Sequence, residues 1–336
     1  LESLGKETLQ VKAFFKDDQP GRVFLEDLLR LYAEAHPSFR YEFVDPDRKP
    51  GEAKRYGVDE YGTVIVEKGE RKERFTELTE ETLTNAILKL AQARQKTVAF
   101  VTGHGEKLLS GENEAGLAHF RGRLESENYV IRELVLARDA VPSDIDVLVA
   151  AGPTTDWHPE EIKILSGFIE AGGHALLLLD PVEVPLAKLA EWLAGYGVIL
   201  GQDVVIDKLS RLFGADYLIP VVTSYGDHPV TRNYNVASFL PFTQSVTVKD
   251  PPQAYQLTEL AFTSQGSWAE RDWEQIKKGQ VSFSEGDLAG PVCLAVAAEK
   301  QNSDMRLVVF GDSDFADNAH FYLSGNKDLV LNTVAW

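Results

Sequence analysis

Four polar stretches interrupt otherwise apolar segments, and they hold the side chains best suited to chemistry. They are Thr102-Gly103-His104-Gly105-Glu106, Asp180-Pro181, Tyr225-Gly226-Asp227-His228-Pro229 and Gly311-Asp312-Ser313-Asp314-Phe315. Imidazole and carboxylate groups can move protons, accept hydroxyl hydrogen bonds or ligate a divalent ion. In open parallel sheets ligands bind at the carboxyl ends of strands. If the first, second and fourth stretches follow adjacent strands, His104, Glu106, Asp180, Asp312 and Asp314 meet in one acidic crevice. Such a crevice suits a cation, an amine or sugar hydroxyls, and suits free phosphate poorly. Asp227 and His228 complete the candidate ligand-binding set. Each loop also has a structural explanation. Gly103 and Gly105 permit a tight turn, Asp180-Pro181 ends a strand, and Asp312 and Ser313 can cap the turn that follows them.

Several chemistries are excluded or disfavoured. Cys293 sits inside the apolar run Pro291 to Val296 and reads as a core residue, not as the nucleophile of a class I glutamine amidotransferase. There is no Gly-x-Ser-x-Gly elbow, no Walker A pattern, no His-Glu-x-x-His and no paired Cys-x-x-Cys. A metal held by His104 with Asp312 or Asp314 is chemically feasible, but no metal and no cofactor is assigned. Trp157 and Trp268 lie in polar loop contexts, Asp156-Trp157-His158 and Gly266-Ser267-Trp268, where an exposed indole beside carboxylates could stack on a sugar, although ordinary packing with the indole N–H satisfied is the favoured reading for each.

Positioning these loops requires alternating strands and helices. Thr97 to Thr102, Val147 to Ala151, Ala175 to Leu179, Val292 to Ala298 and Arg306 to Phe310 are apolar runs of buried-strand type, and Tyr129 to Leu136 alternates as a strand. Helical stripes run through Leu117, Phe120 and Leu124, through Ile162, Leu165, Phe168 and Ile169, and from Pro185 to Gly195. Strands alternating with helices predict a parallel sheet covered on both faces. Beyond Gly197 the pattern loosens. Strands are predicted at Val198 to Ile206, Tyr217 to Thr223, Phe242 to Val248 and Tyr255 to Phe262, and a closing helix at Leu329 to Val334.

Upstream, the pattern is β-α-β-α-β-β-α. Strands at Val11 to Phe15 and Phe39 to Phe43 precede a hairpin of Thr63 to Glu67 and Lys72 to Phe75, and a helix carries Leu83, Ile87, Leu88 and Leu90. The polar stretch Gln92 to Lys96 sets the boundary, giving domains 1–96 and 97–336. The fold class is therefore α/β. The order, with Tyr56-Gly57-Val58 and Tyr61-Gly62-Thr63-Val64-Ile65-Val66, resembles thioredoxin. Asp17-Asp18-Gln19-Pro20-Gly21-Arg22 stands where a redox thioredoxin carries its cysteines, so thiol–disulfide exchange is excluded. Gly62 stands where that family has a cis-proline. A binding or docking module, or a spacer, is what remains.

The chain of 336 residues carries a formal charge of −18, divided as −2 over residues 1–96 and −16 over the rest. That field repels phosphate backbones, so nucleic acid is excluded as the main partner. The only methionine is Met305 and the chain opens on Leu1, so a piece of a longer protein is expected.

The sequence resembles the soluble part of auxiliary subunits of gliding-motility-type ABC transport systems (GldG-like). The resemblance rests on Val101 to Glu106, on Ile162 to Pro181, on Asp227-His228-Pro229-Val230-Thr231, and most specifically on Val309 to Ala316 with Gly325 to Leu329 and Asn332 to Trp336. It covers nearly the whole chain. It implies membrane helices flanking a large extracytoplasmic (periplasmic) region, with Leu1 and Trp336 just inside those anchors, and an ABC permease and its ATPase as partners. It also implies that the second domain is similar to the Rossmann-like GIFT domain of intraflagellar transport proteins, to which carbohydrate recognition is ascribed. The expected function is a non-enzymatic accessory or binding domain, with a saccharide or envelope component as candidate ligand. The alternatives are a hydrolase or transferase using Asp312, Asp314 or Glu106, and a pure scaffold.

Overall fold

A strand's side chains alternate between its two faces, and that alternation organises both parts of this molecule. The computed structural model describes residues 8–91, 94–136, 138, 140–232 and 234–336. Leu1, Gln92 and Ala93, which entered the expected chain limits and domain boundary, lie outside the described residues. The chain divides into two compact units, one of residues up to Gln95 with Ser126–Asn128, the other of Lys96–Glu125 with Tyr129–Trp336.

The first unit runs β1 (Leu9–Phe14), α1 (Arg22–Ala35), β2 (Phe39–Val44), α2 (Pro50–Arg55), β3 (Thr63–Lys68), β4 (Arg71–Phe75) and α3 (Glu80–Ala91). Its four-stranded sheet has the order β2-β1-β3-β4, with β1 parallel to β2 and the other neighbours antiparallel. Leu9, Val11, Ala13, Val64 and Val66 face one side, where Leu25 and Leu29 of α1 and Leu83, Ile87 and Leu90 of α3 cover them. Phe14 and Ile65 face the other side and meet Ala53 of α2. Lys12 shares that second face. Its ammonium is held by Glu42 and by Glu52, the latter at 2.7 Å.

The second unit is built on an eight-stranded sheet. Its first elements are β5 (Thr97–Val101), α4 (Ala118–Ser126), β6 (Val130–Leu134), β7 (Val147–Ala151), α5 (Pro159–Glu170), β8 (His174–Leu178) and α6 (Ala187–Ala194). The strands β6, β5, β7 and β8 and the strand Arg306–Phe310 lie side by side in that order, all parallel. Val98, Val149, Leu176 and Phe310 pack on one face with Phe120 of α4 and with Leu329 and Val330 of the helix Asn326–Ala335. Ala99, Leu148, Leu177 and Val309 pack on the other with Leu165 of α5 and Leu189 of α6. Burial on both faces is why these strands read as unbroken apolar runs.

The expected all-parallel sheet is corrected at one end. Cys293–Lys300, Tyr255–Phe262 and Ser224–Tyr225 continue the sheet antiparallel, so it is mixed. Cys293 and Arg306 start two strands joined by a turn at Gln301–Asp304, which is too short for a crossover helix. The α/β class stands. The loosely patterned region differs more. Val198 to Ile206 is two strands, because Asp203 turns inward and accepts hydrogen bonds from the amide (2.8 Å) and hydroxyl (2.7 Å) of Ser245. Only Val221–Val222 of Tyr217 to Thr223, and only Val246–Val248 of Phe242 to Val248, are strand. The strand Trp268–Glu270 and the helix Trp273–Lys278, with no counterpart in the sequence pattern, form a satellite around Val204, Ile206 and Trp268. Cys293 is buried, and burial pushes its thiol up to about 12, which makes it an inert core residue.

Candidate functional site

The strand order β6-β5-β7-β8-(306–310) reverses direction of progression between β5 and β7, and the loops leaving their carboxyl ends line one edge. Backbone hydrogen bonds extend the ladder into these loops. The amide of Gly152 donates to Leu178 (2.8 Å), and that of Leu179 donates to Phe310 (2.9 Å). Gly152 has φ +67°, and a Cβ there would lie 2.8 Å from Ser313 Oγ and 3.0 Å from Asp180 Oδ2. The loop after β7 thus passes against the acid groups only because it lacks a side chain.

At this edge Asp180, Asp312 and Asp314 converge, with one oxygen of each within 4.8 Å of the others. Asp180 accepts from the amide (2.5 Å) and hydroxyl (2.6 Å) of Ser313. Asp312 is fully buried and accepts from the amides of Asp314 (2.7 Å) and Phe315 (3.3 Å). Lys107, which follows Glu106, reaches in. Its Nζ lies 2.6 Å from Asp314 Oδ1 and 3.7 Å from Asp317 Oδ2. Asp317 in turn lies 2.9 Å from His320 Nδ1. Gln244 straps the edge from outside the parallel strands, donating to the carbonyls of Leu179 (2.9 Å) and Asp180 (3.1 Å).

Burial, then the charge of Asp314, raises the Asp180 carboxyl to about 6. Burial, then the charges of Asp180 and Asp314, pushes Asp312 well above the usual carboxylate range. Burial works against the charge of Lys107, but the Asp314 hydrogen bond and the neighbouring carboxylates outweigh it and raise its pKa. The hydrogen bond to Asp317 raises His320. Three carboxyl oxygens this close could surround a cation, but the Lys107 ammonium already supplies a positive charge there.

Asp180 therefore carries a pH signature. Its folded pKa lies above the ordinary value of 3.8, so the folded state holds its proton more tightly than the unfolded chain. The resulting contribution is complete below pH 3.8 and is lost as pH rises to about 6. Between those limits wild type is expected to lose about 3 kcal/mol relative to Asp180→Asn. Denaturation of both proteins across that window checks this, and a difference that is flat with pH contradicts it.

His104 and Glu106 do not join the aspartates. His104 is buried, with Nε2 2.9 Å from Glu161 Oε2 and Nδ1 3.3 Å from Glu106 Oε1. The other oxygen of Glu106 accepts from the His104 amide (2.7 Å). Glu161 also accepts from the amide of His158 (2.8 Å), closing the first turn of α5. Both ring nitrogens of His104 are thus committed, which removes it as a metal partner of Asp312 or Asp314. Gly105 allows the turn, since a Cβ at its φ of +84° would meet Thr154 Oγ1 at 2.0 Å.

Asp227 and His228 are not at this edge either. Asp227 is exposed, 3.5 Å from Arg232. His228 is buried against Trp336, with ring centroids 4.5 Å apart, and its Nε2 lies 3.9 Å from Glu299. Glu299 pairs with Arg306, which pairs with His174 at the start of β8, so His228 sits at the amino edge. The tryptophans are not sugar platforms. Trp157 is fully buried, its ring 5.4 Å from that of His104, and Trp268 is 3 % exposed. The polar neighbours of Trp157 are caps: Asp156 accepts from the amides of Lys188 (2.9 Å) and Leu189 (3.3 Å) at the start of α6. Lys107, Glu161 and Asp317 are partners the loop motifs did not single out. The His158-x-x-Glu161 capping box was the one sequence cue among them.

A family profile described as an ABC-type uncharacterized transport system (ABC_transp_aux) matches residues 95–333. The chain belongs to this family. It is an auxiliary protein of an ABC-type transport system, and the matched stretch spans the carboxyl-edge site from Lys107 to Asp317. Among solved structures, the N-terminal domain of mmIFT52 is similar, with a TM-score of 0.52 and 15% identity over 71% of this chain and 96% of that one. At that identity the likeness is one of fold alone. A ThuA-like protein from Parabacteroides merdae aligns with a TM-score of 0.44 and 13% identity over 72% of this chain and 89% of that one. No curated protein matches the sequence.

Proposed function

We propose that this chain is a non-enzymatic, extracytoplasmic accessory region of a gliding-motility-type ABC transport system, anchored by membrane helices in the full-length protein. Its partners are the permease and the ATPase of that system. Its first unit is a thioredoxin-like docking module whose loop at Asp17 to Arg22 carries no thiol. One observation carries the non-enzymatic reading. Every carboxylate of the edge is already engaged: Asp180 by Ser313, Asp312 by two backbone amides and Asp314 by Lys107. A glycosidase needs one carboxyl free to protonate a leaving group and another free to attack or to activate water. Recognition of a saccharide at this edge loses the stacking platform that buried Trp157 would have provided.

The test uses the full-length protein in its membrane. Affinity purification from mild detergent is expected to bring the permease and ATPase with it, and their absence under several detergents overturns the partner assignment. The purified protein is expected to turn over no glycoside, ester or peptide substrate. Turnover that disappears in Asp314→Asn would replace this reading with a hydrolase or transferase.

A further inference from the structure

Opposite the aspartates, at the amino edge of the large sheet, a cleft of about 550 Å³ lies between α5 and the loop 140–145. That is the size of a small-molecule site. Val141, Pro142, Ile145, Ile164 and Phe168 form its walls, and its only polar side chains are Ser143 and Lys163. Gly167 keeps it open. This glycine is exposed within α5, at a position where a Cβ would meet nothing within 4 Å. Packing inside the protein therefore does not require glycine there, and glycine weakens a helix. What the missing side chain leaves is room in the cleft.

Past Ile145, Gly172 and Gly173, which line both, the cleft opens into a second space of about 310 Å³ at the starts of β7, β8 and the strand Arg306–Phe310. Its character differs. Lys96, His174 and Arg306 line it, together with Asp146 and Asp304. The acids do not pair with the cations. Asp146 accepts from the Thr97 amide (2.7 Å), Asp304 is exposed, and Lys96, Lys163 and Arg306 form no ion pair among the described residues. Arg306 is held by an aromatic ring instead, with Cζ 4.8 Å from the centre of Trp336. Burial, then the charge of Arg306 and, more weakly, that of Lys96 lower the pKa of His174, so both cations stand near its neutral ring. The carbonyls of Gly167, Phe168 and Ile169 at the end of α5 accept from the amides of Ala171, Gly173 and Gly172, so that helix end turns no free acceptor toward an anion.

An apolar cleft that ends at such cations fits one class of ligand. A sugar or a peptide would bring hydroxyls or amides to walls with almost no partners for them. An alkyl chain needs no partners, and a carboxylate at its end is matched by a guanidinium and an ammonium. We propose that this cleft binds a single-chain fatty acid, with the alkyl chain between α5 and the loop 140–145 and the carboxylate at Arg306 and Lys96. The proposal rests on the cleft alone and stands apart from the assignment of transport partners.

Calorimetric titration of the chain with dodecanoate, below its micelle concentration, tests it. Wild type is expected to bind dodecanoate at a single saturable site. It is expected to bind dodecyltrimethylammonium, the same tail with the opposite charge, at least about tenfold more weakly. Gly167→Leu fills the cleft from a helix position that favours leucine over glycine. It is expected to weaken dodecanoate at least about tenfold, with a thermal melt no lower than that of wild type. Arg306→Gln is expected to weaken dodecanoate and to leave the cationic amphiphile unchanged. The comparison of the two amphiphiles needs no variant. No saturable binding by wild type, equal affinity for both amphiphiles, or unchanged binding by Gly167→Leu overturns the proposal.

Discussion

Trp157→Ala is expected to destabilise the second unit by about 3–5 kcal/mol, the range for deleting a large buried aromatic side chain. Trp157 is fully buried. It packs among Leu165, Ile169, Leu186 and Leu189, so it joins α5 and α6 to the sheet, and its ring lies against His104. Its indole N–H has no hydrogen-bond partner among the described residues, so the effect is one of volume. Trp157→Phe is therefore expected to keep most of the stability. Denaturant melts should show a lower midpoint at unchanged slope for the alanine variant. A loss under about 1 kcal/mol would mean that this wall is not packed as described.

Lys107→Met comes second. It removes the only ammonium within reach of Asp314 and Asp317 among the described contacts of that cluster, and leaves those carboxylates facing Asp180 and Asp312. Breaking a buried ion pair from one side costs about 3–5 kcal/mol. Asp314 is 33% exposed, which places the expected loss at pH 7 near the lower end, about 3 kcal/mol. The sign with pH is fixed. Without Lys107 the cluster takes up protons more readily, so the variant's deficit shrinks as pH falls through 6 toward 4. A deficit that grows on acidification would show that Lys107 does not neutralise these acids.

The sequence exposed the parallel half of the large sheet because those strands are buried on both faces and read as apolar runs. Val147 to Ala151 needed no partner to be recognised. The antiparallel extension was hidden because Val292 to Ala298 has the same composition, and only the short turn at Gln301–Asp304 distinguishes it. The satellite was hidden for another reason. Trp268–Glu270 is three residues long, too short for a periodic pattern, and its pairing with Val204–Ile206 joins segments far apart in the chain. At the site, strand-end position identified Asp180, Asp312 and Asp314, since loops after neighbouring parallel strands must lie together. It could not say where a side chain turns. His104 leaves the same edge, but Glu161, on the first turn of α5, draws its ring inward. Asp156, beside Trp157, caps α6, and the sequence leaves that role open because a helix cap and a ligand-binding acid have the same residue type. Lys107 gave no cue, since a lysine after a glutamate is ordinary on any surface.

The strap made by Gln244 fixes an order of events during folding. Lys107 and Asp314 are 207 positions apart, and Gln244 bonds to carbonyls 64 and 65 positions before it. Contacts across such separations form late, after the loop-closure entropy has been met by nearer pairings. The rim therefore starts with Asp180 alone after β8, and the cluster of carboxylates forms only when the final strand brings Asp312 and Asp314 beside it and Gln244 bonds across the edge. Until then that end of the molecule is its least protected part, open to proteases and to exchange of its amide protons with solvent.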